Sequence, residues 1–377
     1  MPSVFHRFTK NIFIITNLVI AFLFILACIT PYVHPGKYWL MGVLTLGFPV
    51  LFFILLFFLF LWLIVKPRRS FISLVALLLG WKTTTETFGF TFSGNRTQDS
   101  TAVKVMSWNV HMFDYYDYKK EPDVKEKMFR LVRENKPTIA CFQEFAYTMP
   151  SRDTNYTIDN YTKNLQMPYH FIQSHPLDSI HLKRINLHFG KAIFSTYPII
   201  NEHHVFNHKG TYNYSFIYAD IALPSGMVRV FNVHLQSLYF GNREYEFVEN
   251  FAENDESIEN GSKNVLRKIR NGFYKRGEQA DTIQKYIHQS PYPVIVCGDF
   301  NDVPGSYAYR TVKDDLQDVF VKKGWGVGRT FTRLSPTLRI DYVFADNYFT
   351  VEGYQRFRKN LSDHFPIITL LKPATVK

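Results

Sequence analysis

The first 82 residues carry seven Lys or Arg and no Asp or Glu, and residues 11–65 are almost continuously apolar. Such a stretch makes no water-facing surface, so lipid or the rest of the chain has to cover it. Two segments, 11–29 and 38–65, reach the roughly 20 apolar residues a helix needs to cross about 30 Å of hydrocarbon. Between them "TPYVHPGK" supplies the helix-breaking Pro31, Pro35 and Gly36. Arg7 and Lys10 precede the first segment, "KPRR" (66–69) follows the second, and only Lys37 lies between. The positive-inside rule therefore puts both ends of this hairpin in the cytoplasm. A cleaved signal peptide is not expected: the first segment is long, lacks a small-residue cleavage pattern and leads at once into a second. The third apolar run, "FISLVALLLGW" (71–81), is short and reads as an interfacial or re-entrant helix. If it were extended through "KTTTETFGF" and did cross, everything after it would change sides. The expectation is a multi-pass protein of a bacterial inner or cell membrane, with an anchor over 1–82 and the side of the remainder open.

Taking those seven charges from the formal +11 leaves +4 for the rest of the chain. The high pI thus reports topology more than a nucleic-acid partner. Cys28, Cys141 and Cys297 lie in apolar runs with neither zinc-ligand nor disulfide-framework spacing. "NRT" (95–97) fits a glycosylation sequon, a short motif of little weight.

Polar "TFSGNRTQDST" (91–101) marks a linker, set at 83–101, before a domain over 102–372. Ten short β-type runs follow: "AVKVMSWNV", "TIACFQEF", "HFIQS", "KAIFS", "YSFIYADIAL", "VRVFNVHLQS", "PVIVCGDF", "RIDYVFAD", "YFTVEGYQRF" and "FPIITLL". Helices are expected at 121–135, with Val124, Met128 and Leu131 on one face, and at 263–289, where Gly272 and Gly277 weaken the pattern. Strands outnumbering helices over this length imply a mixed α/β layered domain. The acidic segment 241–263 reads as a surface insertion.

Strands built for burial repeatedly end in polar or ionisable groups. "MSWNVH" ends in Asn109 and His111, "ACFQEF" in Gln143 and Glu144, and "VFNVHLQS" in Asn232, His234 and Gln236. "VCGDFND" ends in Asp299 and Asn301, "RIDYVF" holds Asp341, and "LSDHFP" holds Asp363 and His364. Each alone has an ordinary reading as a turn residue, surface charge or structural histidine. Buried together they would be costly unless they satisfied one another and a cation.

In this order "SWNV", "QE", "GKAIFS", "NVHL", "GDFN", "IDYVF" and "SDHFP" resemble the endonuclease/exonuclease/phosphatase superfamily, over about residues 102–372. The resemblance implies a four-layer α/β sandwich, two mixed sheets flanked by helices, and metal-dependent phosphoester hydrolysis. It implies Glu144 as principal ligand of Mg²⁺ or Mn²⁺, with Asn109 beside it and Asp363 as a further ligand or support. It implies Asp299 as the base that orients and deprotonates water, held by Asn301. It implies His364 as a donor to phosphate, oriented by Asp341, and His234 as a phosphate contact or leaving-group acid. Asn232 would contact phosphate, and Lys191 would add positive charge. His111 stands where some nucleases have an acidic residue, which leaves a second metal position in doubt.

The first reading is a nuclease-like hydrolase of a phosphodiester in nucleic acid; the alternative is a phosphodiesterase or phosphatase of lipid headgroups, sphingomyelinase-like or inositol-phosphatase-like. "KNVLRKIRNGFYKRGEQA" (263–280) offers basic and aromatic residues for nucleic acid, and equally the solvated face of an amphipathic helix. A tethered, non-catalytic binding module is disfavoured because the catalytic motifs are filled.

Overall fold

The structure, a computed structural model, describes residues 4–91, 101–115, 123–149, 155–176, 187–205, 216–238 and 258–374. The sequon and the insertion up to residue 257 lie outside them. The N-terminal part is helical: α1 (Val4–Ile29), α2 (Trp39–Leu46), α3 (Phe48–Val65), α4 (Ser70–Leu79) and α5 (Trp81–Thr87). Two stretches are long and apolar enough to cross a membrane, Thr9–Tyr32 and Phe48–Val65, with mean hydropathies of 2.9 and 3.0. The second is shorter than the expected 38–65 because the helix breaks at Gly47, with Pro49 in the first turn of α3.

The short third run differs more. After Gly80 the helix resumes and continues to Thr87, so the expected boundary at 82 falls inside it. The threonines that read as linker are buried at Thr83, Thr84 and Thr87, and the Thr87 hydroxyl donates to the Thr83 carbonyl. Strand β1 (Gly89–Phe90) follows at once and pairs with a strand far along the chain.

Beyond it lie two six-stranded mixed sheets. One is built from β2 (Val103–Asn109), β3 (Ile139–Thr148), β4 (Tyr169–Pro176), β5 (Leu187–Ser195), β13 (Phe349–Arg356) and β14 (Ile367–Pro373), in the order β13-β14-β2-β3-β5-β4. The other holds β6 (Ile199–Val205), β7 (Phe216–Leu223), β8 (Gly226–His234), β9 (Val294–Asp299), β10 (Gln317–Asp318) and β12 (Asp341–Ala345), in the order β10-β12-β9-β8-β7-β6. Strand β11 (Trp325–Gly326) is the partner of β1.

Period-2 alternation gives each central strand two buried faces. Val105, Cys141, Ile193, Val230, Cys297 and Val343 meet between the sheets. On the outer faces Met128 and Leu131 of α6 (Asp123–Asn135) and Tyr161 of α7 (Ile158–Leu165) cover the first sheet. Ala280 and Ile283 of α8 (Ile258–His288) and Tyr309 of α9 (Tyr307–Lys313) cover the second. This is the four-layer sandwich. All ten β-type runs are strands; β6 is not among them, because "IINEHHV" is an edge strand whose residues 200–204 are all exposed and carry no alternation.

Gly277, which weakens the helical pattern, is where α8 meets the N-terminal hairpin: a Cβ there would lie 2.9 Å from Pro35 Cγ. Gly42 of α2 answers it, since a Cβ there would lie 2.7 Å from the Phe273 ring.

Gly298 (φ +155) fixes the junction of the parallel pair β8–β9, where a Cβ would lie 2.0 Å from the Val233 carbonyl oxygen. Backbone on both sides cannot yield as a flexible side chain does. Gly298→Ala is expected to cost about 1–3 kcal/mol or more and to displace Asp299, lowering both the thermal midpoint and turnover. An unchanged midpoint would show that the two strands can part without penalty.

Candidate active site

The two parallel pairs, β2–β3 and β8–β9, end on one side of the sandwich. Their registers set Asn109 opposite Gln143 and His234 opposite Asp299, while antiparallel β12 sets Asp341 opposite Asp299. Glu144 arrives by a local irregularity. Along β3, Ile139 and Cys141 face the other sheet, whereas Ala140, Phe142 and then Phe145 face the helices. The pairing with β5 slips between Phe142 and Phe145, so Gln143 and Glu144 share the inward side, Glu144 at φ 50. After β2 the residues from His111 to Asp114 all have positive φ (42, 60, 52 and 59), unfavourable for side chains with a Cβ. Strain of this kind persists where surrounding structure imposes it, often at functional sites. Here the Asn109 side-chain oxygen accepts from the His111 N–H at 3.1 Å, and the Tyr156 hydroxyl donates to the Phe113 carbonyl at 3.2 Å.

Asp299, Asp341 and His364 are all buried. His364 Nδ1 lies 2.8 Å and 3.1 Å from the two Asp341 oxygens, and its Nε2 lies 3.6 Å from Asp299 Oδ2. Burial alone would lower the imidazole's pKa, but the Asp341 and Asp299 carboxylates outweigh it and raise it to about 10. His364 is therefore a held imidazolium. Burial first, with Asp341 adding to it against the His364 charge, raises Asp299 to about 7. Its oxygens are fixed by the Asn301 backbone N–H at 2.8 Å and the Asn109 amide at 3.1 Å. Asn301 thus holds the carboxylate through its backbone, while its side chain donates to the Leu235 carbonyl at 3.1 Å.

His234 Nε2 is buried without a hydrogen-bond partner among the described residues, 3.7 Å from Asp299 and 3.8 Å from Glu144. Burial, then Lys191 and His364, push its pKa well below the usual histidine value, so it is neutral. Lys191 is no surface lysine: it is buried, and burial lowers its pKa to about 7. Asn232 sits one period deeper than His234, between the sheets. Its amide donates to the Phe142 and Ala192 carbonyls (2.9 and 2.8 Å) and its oxygen accepts from Gln143 at 2.7 Å. Both amide hydrogens are spent bracing the sheets, and none is left for the phosphate contact expected of it.

Asp299, Asp341 and His364 bring donor atoms within 4.8 Å of one another. With Nδ1 engaged on Asp341, His364 has only Nε2 turned toward Asp299. The cation-shaped need is beside it. Burial and the neighbouring Asp363 carboxylate push the Glu144 carboxyl up, although 26% of its side chain stays exposed. The Glu144 and Asp363 carboxylates and the Asn109 amide oxygen make a hard-oxygen set that a divalent ion would relieve, with His234 Nε2 beside it at 3.8 Å from Glu144. Next to Asp363 and His111 opens a cleft of about 530 Å³ whose wall includes Arg329.

Several supports are not among the expected site residues. The Ser362 hydroxyl donates to the Asn109 carbonyl at 2.8 Å, and the Thr330 hydroxyl accepts the Ile340 and Asp341 N–H groups (3.0 and 3.1 Å). Arg276, buried, pairs with Asp302 at 3.0 Å just past Asn301. Nothing in the local pattern around Arg276 distinguishes it from the other cations of its helix.

The model of the endonuclease/exonuclease/phosphatase family matches residues 106–364, and that of a domain of unknown function (DUF8431) matches residues 10–87, ending with α5. No curated protein sequence matches the chain. Among solved structures, an endonuclease/exonuclease/phosphatase from Beutenbergia cavernae DSM 12333 is similar at TM-score 0.51 and 18% identity, covering 73% of this chain and 72% of that one. The human Nocturnin catalytic domain with bound sulfate is similar at TM-score 0.50 and 15% identity, covering 74% and 97%.

Proposed function

The chain belongs to the endonuclease/exonuclease/phosphatase family of phosphoester-hydrolysing enzymes, and from that premise we propose that it is a membrane-anchored phosphodiesterase dependent on Mg²⁺ or Mn²⁺. The observation that carries the chemistry is the imidazolium of His364, clamped by Asp341 and facing Asp299 across 3.6 Å. Asp299 takes a proton from the attacking water, oriented by the Asn301 N–H and the Asn109 amide. His364 Nε2 donates to a non-bridging phosphate oxygen as charge accumulates there. His234 Nε2 meets another phosphate oxygen or the leaving oxygen, and Lys191 adds positive charge behind it. Glu144, Asn109 and Asp363 would hold the ion, which when bound neutralises phosphate charge that repels a nucleophile.

Lipid headgroups are the substrate the geometry favours. In the stretch whose composition suits nucleic-acid binding, Phe273 is buried against Gly42 of α2, and Arg276 is buried on Asp302 and the Gln236 carbonyl. That removes one stacking ring and one cation from the surface. The catalytic loops instead rest on the apolar bundle. Gly305, four residues beyond Asn301, lies against Thr83 and Thr45, and Arg339, two before Asp341, donates to the Glu86 carbonyl at 2.7 Å.

The test is the purified full chain in lipid nanodiscs, assayed with Mg²⁺ or Mn²⁺ on phospholipids, sphingomyelin, plasmid DNA and RNA. Hydrolysis of a lipid diester is expected, abolished by chelation and restored by either ion, with Glu144→Gln requiring more metal. Nucleic-acid cleavage without lipid hydrolysis would replace the substrate reading, and the absence of metal-dependent turnover on all four would end the enzymatic one.

A further inference from the structure

We propose that residues 70–87 form a third membrane-crossing helix, which places the catalytic domain on the face opposite the "KPRR" turn, with its cleft at headgroup level. The inference rests on the membrane part of the reading above and not on its chemistry. The register of the bundle carries it. α3 runs antiparallel to α1, shown by Phe13 against Phe58 (6.3 Å) and Phe24 against Phe48 (5.0 Å). α4 runs parallel to α1: the Ser73 hydroxyl donates to Asn17 Oδ1 at 2.9 Å, and seven residues further along both helices Gly80 lies against Phe24. A helix lying in the interface would cross α1 at one point. This one keeps step with it.

Levels agree. Gly80 lies against Phe24, which stacks on Phe48 at the start of α3, so α4 runs from the "KPRR" turn to the level of the domain end of α3, and α5, which carries Lys82 and Glu86, lies at that end against the domain. The outer face of α4 is apolar and uncovered among the described residues, with Phe71 62%, Val75 50% and Leu78 63% exposed, like Phe22 and Phe60 on α1 and α3 at 60% each. The polar pair Asn17 and Ser73 is turned inward and fully buried. Acyl chains are the one occupant that covers all three helices at once.

The two ends of the bundle differ in kind. One gathers Lys10, Lys66 and Arg69 beside Trp62 and Phe13, with Arg68 adjacent in sequence. The other is bonded to the domain: Arg310 lies over the Tyr32 ring at 4.0 Å, His34 lies 3.5 Å from Asp281, and Lys313 lies 3.7 Å from Glu86. The positive-inside rule assigns the first end to the cytoplasm and the domain to the far side. Four residues of chain reach at most ~14 Å, so Asn301 lies within that distance of Gly305, which sits on the bundle. The catalytic end of β9 is thus held just above the hydrocarbon boundary.

Three variants of the full chain in a Cys28→Ala background test this in right-side-out membrane vesicles: Arg68→Cys, Lys275→Cys and Glu202→Cys, each exposed to a membrane-impermeant maleimide. Lys275→Cys and Glu202→Cys are expected to label equally before and after permeabilisation, and Arg68→Cys only after it. Protection of all three positions would show that 70–87 does not cross, and any other pattern that puts Arg68 on the accessible side would overturn the side assigned. Labelling does not depend on turnover, so loss of the catalytic reading would leave this result standing.

Discussion

Asp299→Asn is expected to lower kcat by ~10²–10⁴-fold, the range of a positioned general base, without lowering the thermal midpoint. The substitution keeps shape: the side-chain oxygen can still accept the Asn301 N–H, while the proton-accepting capacity and the hydrogen bond from the Asn109 amide are lost. Stability should hold or rise because burial is the main reason this carboxyl is pushed up to about 7. A buried carboxylate that costs free energy in the fold yet stays in place is serving chemistry rather than packing. The measurement is kcat on a chromogenic phosphodiester together with a melting curve. Retention of a large part of the activity, or a cooperative loss of stability with it, would assign Asp299 a structural role.

The second large effect is on pH. His364 is expected to donate only while protonated, and in the wild type its pKa of about 10 keeps it so across the ordinary range. Asp341→Asn removes the leading cause of that elevation and leaves Asp299 to oppose burial, which acts the other way. The alkaline limb of kcat/KM should therefore move to lower pH, with the defect greatest above neutrality and partly recovered on acidification. The sign follows from the donor: raising pH empties a group whose pKa has fallen. A uniform loss at every pH would mean that Asp341 only positions the ring.

Much of the site is legible in the sequence, because central strands end in residues a core does not tolerate singly. Asn109, His234 and Asp299 lie at such ends and Glu144 lies inside β3, and order along the chain plus resemblance suggests their roles. Two positions depend on what no linear pattern records. Asn232 and His234 share a strand face by period 2, yet one step of depth along β8 turns the first into a brace between carbonyls and leaves the second with its Nε2 between Asp299 and Glu144. Glu144 depends on a slip in the β3–β5 pairing, without which simple alternation would turn it toward the helices. The bracing roles of Ser362 and Arg276 are invisible in sequence because their partners lie far along the chain.

The apolar N-terminus behaves likewise. Composition and length determine that residues 11–65 form a hydrophobic hairpin with basic flanks, since nothing else satisfies backbone polar groups in such a stretch. They do not decide the fate of residues 71–81, because eleven apolar residues are compatible with lying in an interface, entering it or crossing. The tertiary structure decides how far that helix extends and what it packs on, through the Asn17–Ser73 bond, the approach of Gly80 to Phe24 and the grip of Arg339 on the end of α5. Local pattern determines which segments are buried and which groups are reactive. Which of them meet, at what depth and on which side is set by long-range contacts, whose geometry no single segment contains.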